Sequence, residues 1–172
     1  VQGHVVTSPA VTITLPGSAR YLGTDTFTLT DPKLGPFDDC KLFVFVEANG
    51  KEIQKLYWVQ FEEYKPSHPE LHHAYNSPRH VEIGGLDFYV DTWTSTGKDA
   101  AERGSDTEHF NALLTANRYM RVPMTVVRLV HLFDKAKRKE LMIIYGEAET
   151  SDTETVLQHA IARVRIGQGA GG

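Results

Sequence analysis

At 172 residues, with 41% apolar and 23% charged positions, the chain can bury an ordinary hydrophobic core without disulfide or metal staples. A formal net charge of -4 supplies no broad basic face for phosphate backbones, so nucleic acid is not an expected partner. The single cysteine, Cys40, rules out an intrachain disulfide, and no apolar run approaches the roughly 20 residues that span a bilayer. The sequence opens "VQGHVV" with no initiator methionine, which fits a removed leader. Export of a processed chain is one expectation, and a truncated cytoplasmic chain is the other. Composition suggests a single domain over 1–166 and a flexible glycine-rich tail over 167–172.

In chain order, "VTITLP" (11–16) and "TFTLT" (26–30) alternate as short strands, with a break at "DPKLGP" (31–36). The strongest local signal follows. "KLFVFVEA" and "KEIQKLYWVQFEEY" flank Asn49-Gly50, a pair suited to a two-residue type I′ turn. Setting Ala48 opposite Lys51 places Leu42, Val44, Val46, Ile53, Tyr57, Val59 and Phe61 on one face, the expected core. Phe43, Phe45, Glu47, Leu56, Trp58, Gln60 and Glu62 then share the other face, which is both aromatic and polar.

Beyond a long histidine-rich connection, "HVEIGGLDFYVDTWT" (80–94) reads as extended, with a bend or bulge at Gly84-Gly85. "SDTEHFNALLTANRY" carries a capping box, Ser105 with Glu108, and an apolar stripe of Phe110, Leu113 and Leu114, with Asn117 as a stop. "PMTVVRLVHLF" and "KELMIIYGEAE" form a second hairpin around "DKAKRK". "LMIIY" is apolar on both faces, as a central strand should be. A second helix starts at Ser151 or Asp152 and carries the stripe Val156, Leu157, Ala160, Ile161 and Val164. The fold class is therefore α+β: a single antiparallel sheet of six or seven strands, strongly curved or two-sided, with two amphipathic helices packed on it.

Three chemistries compete for the function. Trp58, Gln60, Tyr89, Asp91 and Trp93, joined by Arg128 or His131 from the second hairpin, gather rings and hydrogen-bonding groups as a small-molecule pocket or a protein hot spot requires. A non-catalytic domain binding a small molecule or protein through Trp58, Gln60, Tyr89, Asp91, Trp93 and Arg128 is the first expectation. An exposed aromatic face of this kind would favour a homodimer. The second is an enzyme using His131, or a carboxylate on the same face, as acid and base. The third is metal binding by His68, His72, His73 and His80 in the connection. Against that, Pro66 and Pro69 hinder the helix that would align His68 with His72, so a polar border around a site is the simpler role for this segment. No nucleotide, zinc-protease or hydrolase motif occurs, and no cofactor is expected.

Overall fold

The computed structural model describes residues 5–7, 11–98, 100–150 and 152–168. Strands β1 (Val5–Thr7), β2 (Val11–Thr14) and β10 (Arg165–Gln168) form a small antiparallel sheet in the order β1-β2-β10. The main sheet is antiparallel and seven-stranded. It contains β3 (Arg20–Asp31), β4 (Gly35–Asn49), β5 (Glu52–Tyr64), β6 (His80–Ile83), β7 (Leu86–Ser95), β8 (Met124–Leu132) and β9 (Lys139–Glu147), ordered β3-β4-β5-β9-β8-β7-β6. Helices α1 (Asp106–Ala116) and α2 (Thr153–Arg163) complete the fold. Among the described residues no helix is long and apolar enough to cross a membrane.

Both helices begin where side-chain caps satisfy their first amides. Ser105 Oγ accepts from the Glu108 amide at 3.3 Å, while Glu108 reaches back to the Gly104 amide at 2.6 Å. Asp152 caps α2 through the Thr155 amide at 2.7 Å; Ser151, the other expected start, lies outside the described residues. Asn117 ends α1 and ties it to the sheet, its amide donating to the carbonyls of Leu22 in β3 and Leu113.

The main sheet is two-sided. One face packs Phe45, Tyr57, Phe88, Leu129 and Ile143 beneath Leu157 and Ala160 of α2, and the buried Ile13 of β2 joins the same cluster. The other face packs Leu42, Val44, Trp58, Val126 and Met142 with Phe110 and Leu114 of α1.

Four expectations are corrected. First, there are two sheets rather than one, because α2 stops at Arg163 and Arg165–Gln168 pairs with β2. Gly167 and Gln168 thus belong to β10 rather than to a tail, and Val164 is the helix cap. Second, the extended run over 80–94 is two strands rather than one: at Gly84 and Gly85, in place of the expected bend or bulge, the chain reverses in a tight turn between β6 and β7. Third, the turn after β4 is centred on Gly50 and Lys51, so that Asn49 faces Glu52 and Ala48 faces Ile53. That slip alone would leave every residue on its expected side, because it shifts the pairing by two. Fourth, a bulge between Glu47 and Ala48 adds one more residue on β5, and one residue inverts the facing. Glu47 then opposes Lys55, Val46 opposes Leu56 and Val44 opposes Trp58. Trp58 and Gln60 therefore share a face with Leu42 and Val44, whereas Tyr57 and Val59 share theirs with Phe45 and Phe43.

Gly84 also joins the two sheets. It adopts φ +60°, and a Cβ there would lie 2.0 Å from the Ile166 carbonyl oxygen of β10. Gly84→Ala should destabilise the protein by at least about 2 kcal/mol, from the left-handed backbone plus the clash. Urea unfolding checks the magnitude. Faster amide exchange in 165–168 checks that β10 is what gives way.

Candidate functional site

The α1 face is best read as rows of directly paired residues running across the strands. One row runs Val44, Trp58, Ile144, Arg128, Asp91 from β4 to β7. The next towards one end runs Leu42, Gln60, Met142, Val130, Tyr89. A third runs Cys40, Glu62, Glu140, Leu132. Polar and aromatic groups thus gather on the α1 face as the alternation within each strand implies, although against different β4 partners.

Between α1 and the first of these rows, extending towards Leu56, Val126 and Trp93 and away from the third row, lies a cavity of about 360 Å³. Trp58 forms its inner wall, stacked on Phe110 of α1 with ring centroids 4.7 Å apart. Trp93, 39% exposed, also lines it, as do Met124 and Met142. Polar groups come from Asp106 and Thr107 at the start of α1 and from Arg121 and Arg128.

Of the six expected ligand-binding residues, Trp58, Trp93 and Arg128 line this cavity. Two others hold them in place. The Trp58 indole donates to Gln60 Oε1 at 2.8 Å, and Arg128 donates to Asp91 Oδ2 at 2.7 Å. Asp91 also accepts from Ser77 at 2.6 Å. Burial pushes the Asp91 carboxyl upward, but the Ser77 and Arg128 hydrogen bonds outweigh it and hold the group below its usual range. Tyr89 lies apart from the lining, its ring 5.6 Å from that of Tyr75.

The connection over residues 65–79 is not a polar border. It leaves β5, passes over the α1 face and rejoins the sheet at β6 on the far margin. His73 and Ser77 are buried and Tyr75 half-buried, while His72, Ala74 and Asn76 point outward. This period of two resembles a strand, but the segment is anchored one contact at a time. The His73 amide donates to Lys137 O at 2.7 Å, and Tyr75 Oη donates to Glu140 Oε2 at 2.6 Å. Arg138 donates to the carbonyls of Tyr64, Lys65, His68 and Leu71.

The expected histidine cage is not formed, because this anchoring sends its members apart. His68 approaches Glu70 at 3.5 Å, His72 is exposed beside the Glu70 carbonyl, and His80 pairs with Asp87 at 2.8 Å. Among the described residues, the one group of three or more metal-ligating side chains close enough to hold an ion is Asp38, Glu62 and His73. Of these three, His73 alone belongs to the set of histidines that the sequence marks as candidate ligands. Burial, with Glu140 and Asp38 alongside, pushes the Glu62 carboxyl well above the carboxylate range. Burial likewise raises Asp38, although His73 and a hydrogen bond with Glu62 act in the opposite direction. The Cys40 thiol beside them is pushed up by burial and by Glu62 and Asp38, which opposes any nucleophilic role.

His131 lies on the α2 side, its ring 5.5 Å from Phe88, with Nδ1 2.8 Å from the Asp87 carbonyl. The Asp87 carboxylate is held by His80, and the Asp91 carboxylate by Ser77 and Arg128. His131 thus meets neither carboxylate, and the acid–base pair that an enzyme built on it would need is not assembled by these contacts. No family model, curated protein or solved structure matches the chain.

Proposed function

We propose that this is a non-catalytic binding domain whose cavity between α1 and the sheet takes a small amphipathic molecule with a flat apolar body and an anionic group. The observation that carries this reading is a cavity of about 360 Å³ lined by Trp58, Trp93 and Phe110 together with Arg121 and Arg128. Its size lies within the usual range for ligand sites, roughly 300–1,000 Å³. Flat rings supply contact area at little entropic cost, and a guanidinium orients a carboxylate or sulfonate. Two methionines in the lining allow the walls to adapt to ligand shape. The reading needs the sheet to curve around α1, so that β5 and β7 both approach the helix. A concave site favours a small molecule over a protein partner, since a protein would need a broad exposed face.

Both tryptophans of the chain border this cavity, so emission excited selectively from tryptophan rather than tyrosine reports on it. Titration with 1-anilinonaphthalene-8-sulfonate and with flat aromatic carboxylates should shift or quench the emission saturably. Trp93→Ala should weaken binding about tenfold, the worth of one good aromatic contact. Unchanged emission across the series, or affinity indifferent to Trp93→Ala, would remove this reading.

A further inference from the structure

A second site stands at one end of the same face. Asp38 on β4, Glu62 on β5 and His73 in the crossing segment each place one ligating atom within 4.8 Å of the other two. Asp38 is 2% exposed and His73 6%, yet Asp38 Oδ1 and His73 Nε2 have no hydrogen-bond partner. Buried polar atoms almost always have one, so two orphans in one cluster call for an occupant. Glu140, also 2% exposed, sits directly opposite Glu62 across the β5–β9 pair, where like charges repel. Nearby cations are engaged elsewhere: Lys65 lies 2.9 Å from Asp39, Lys139 lies 3.0 Å from Glu63, and Arg138 serves backbone carbonyls. Three carboxyl groups thus gather around one imidazole.

We propose that Asp38, Glu62 and His73 bind a single divalent transition-metal ion, with Glu140 and Tyr75 as outer partners that orient the imidazole. His73 Nδ1 lies 3.0 Å from Glu140 Oε2, and Tyr75 Oη donates to the same oxygen at 2.6 Å. An Nδ1–H donated to that carboxylate leaves the lone pair on Nε2, the arrangement by which metal-bound histidines are usually held. One imidazole with two carboxylates suits zinc, cobalt(II), manganese(II) or iron(II), whereas calcium and magnesium favour oxygen-only sets. Ligands about 2.1 Å from a tetrahedral ion stand about 3.4 Å apart, so side-chain shifts of around an ångström would close the set.

Chelator-treated full-length protein titrated with zinc chloride by calorimetry should bind one equivalent at micromolar metal and unfold at higher temperature. Cobalt(II) should give visible d–d absorption in the wild type, a readout that needs no variant. His73→Gln and Asp38→Asn should each weaken zinc by at least about tenfold, and Glu140→Gln by about the same. His72→Gln and Glu63→Gln, both at exposed positions, should leave it unchanged. Absence of heat, thermal shift and cobalt spectrum would overturn the proposal, leaving Asp38 and Glu62 as a carboxyl pair sharing a proton. Binding that survives His73→Gln would overturn it too, by placing the metal on the outlying histidines.

Discussion

Arg138→Ala is expected to lower the unfolding free energy by about 3 kcal/mol and to loosen residues 65–79 from the sheet. The guanidinium donates at 2.7 to 3.2 Å to four carbonyls, those of Tyr64, Lys65, His68 and Leu71, and its carbon lies 6.0 Å from the centre of the Tyr64 ring. Hydrogen bonds to a charged donor are each worth about 1.5–3 kcal/mol, and water recovers part of that once the segment lifts. Lysine should rescue less than half of the loss, because a single ammonium cannot span a planar four-acceptor arrangement. Urea denaturation measures the loss. Amide exchange at His73, bonded to Lys137 O, and at Val90, bonded to Arg79 O, should quicken well beyond exchange in β5. Unchanged protection at both amides would show that the segment is held by its buried side chains alone.

Phe88→Ala should be comparably severe, about 3–5 kcal/mol, for a different reason. Phe88 is fully buried on the α2 face of β7, within the cluster that contains Val90, Leu129 and Leu157. Removing the ring loses its transfer free energy and leaves a hole that a sheet covered by a helix cannot collapse to fill. For a chain of this size the melting temperature should fall by roughly 10 °C. Phe88→Leu should cost well under half as much, since most of the volume remains. Equal losses for leucine and alanine would show that ring shape, and not volume, matters there. Neither substitution of Phe88 touches the α1 face, so ligand and metal titrations should survive in whatever fraction stays folded.

Much of this architecture follows from local chemistry that a sequence displays openly. Ser105 and Glu108 mark the start of α1 because capping depends on residues a few positions apart. The alternation 58, 60, 62 and 89, 91, 93 assigns faces within each strand, and those assignments hold. What failed was the relation between strands, which a single bulged residue beside Glu47 reverses without any mark in composition. Strand β10 was hidden for another reason. Four residues with a central Ile-Gly are too few to show a period, and only the partner β2 makes them a strand. The acidic cluster was harder still. Its members sit at 38, 62, 73 and 140, and nothing local announces that Glu62 will face Glu140 until β5 pairs with β9. The crossing segment stands out in the sequence for its histidines, but its packing against the sheet does not, because what it buries is polar: His73, Tyr75 and Ser77 carry no hydrophobic signature.

That segment also bears on the order in which the molecule assembles. Tyr75 meets Glu140 across 65 intervening steps of chain, and the β8–β9 hairpin it rests on is synthesised after it. Having no ladder of its own, the belt gains little until β9 has docked against β5, so the loop-closure entropy is offset only at the end. Refolding should therefore protect the amides of the main sheet no later than that of His73 in the belt. The same segment, being the last to settle, is where thermal opening and proteolytic nicking would begin.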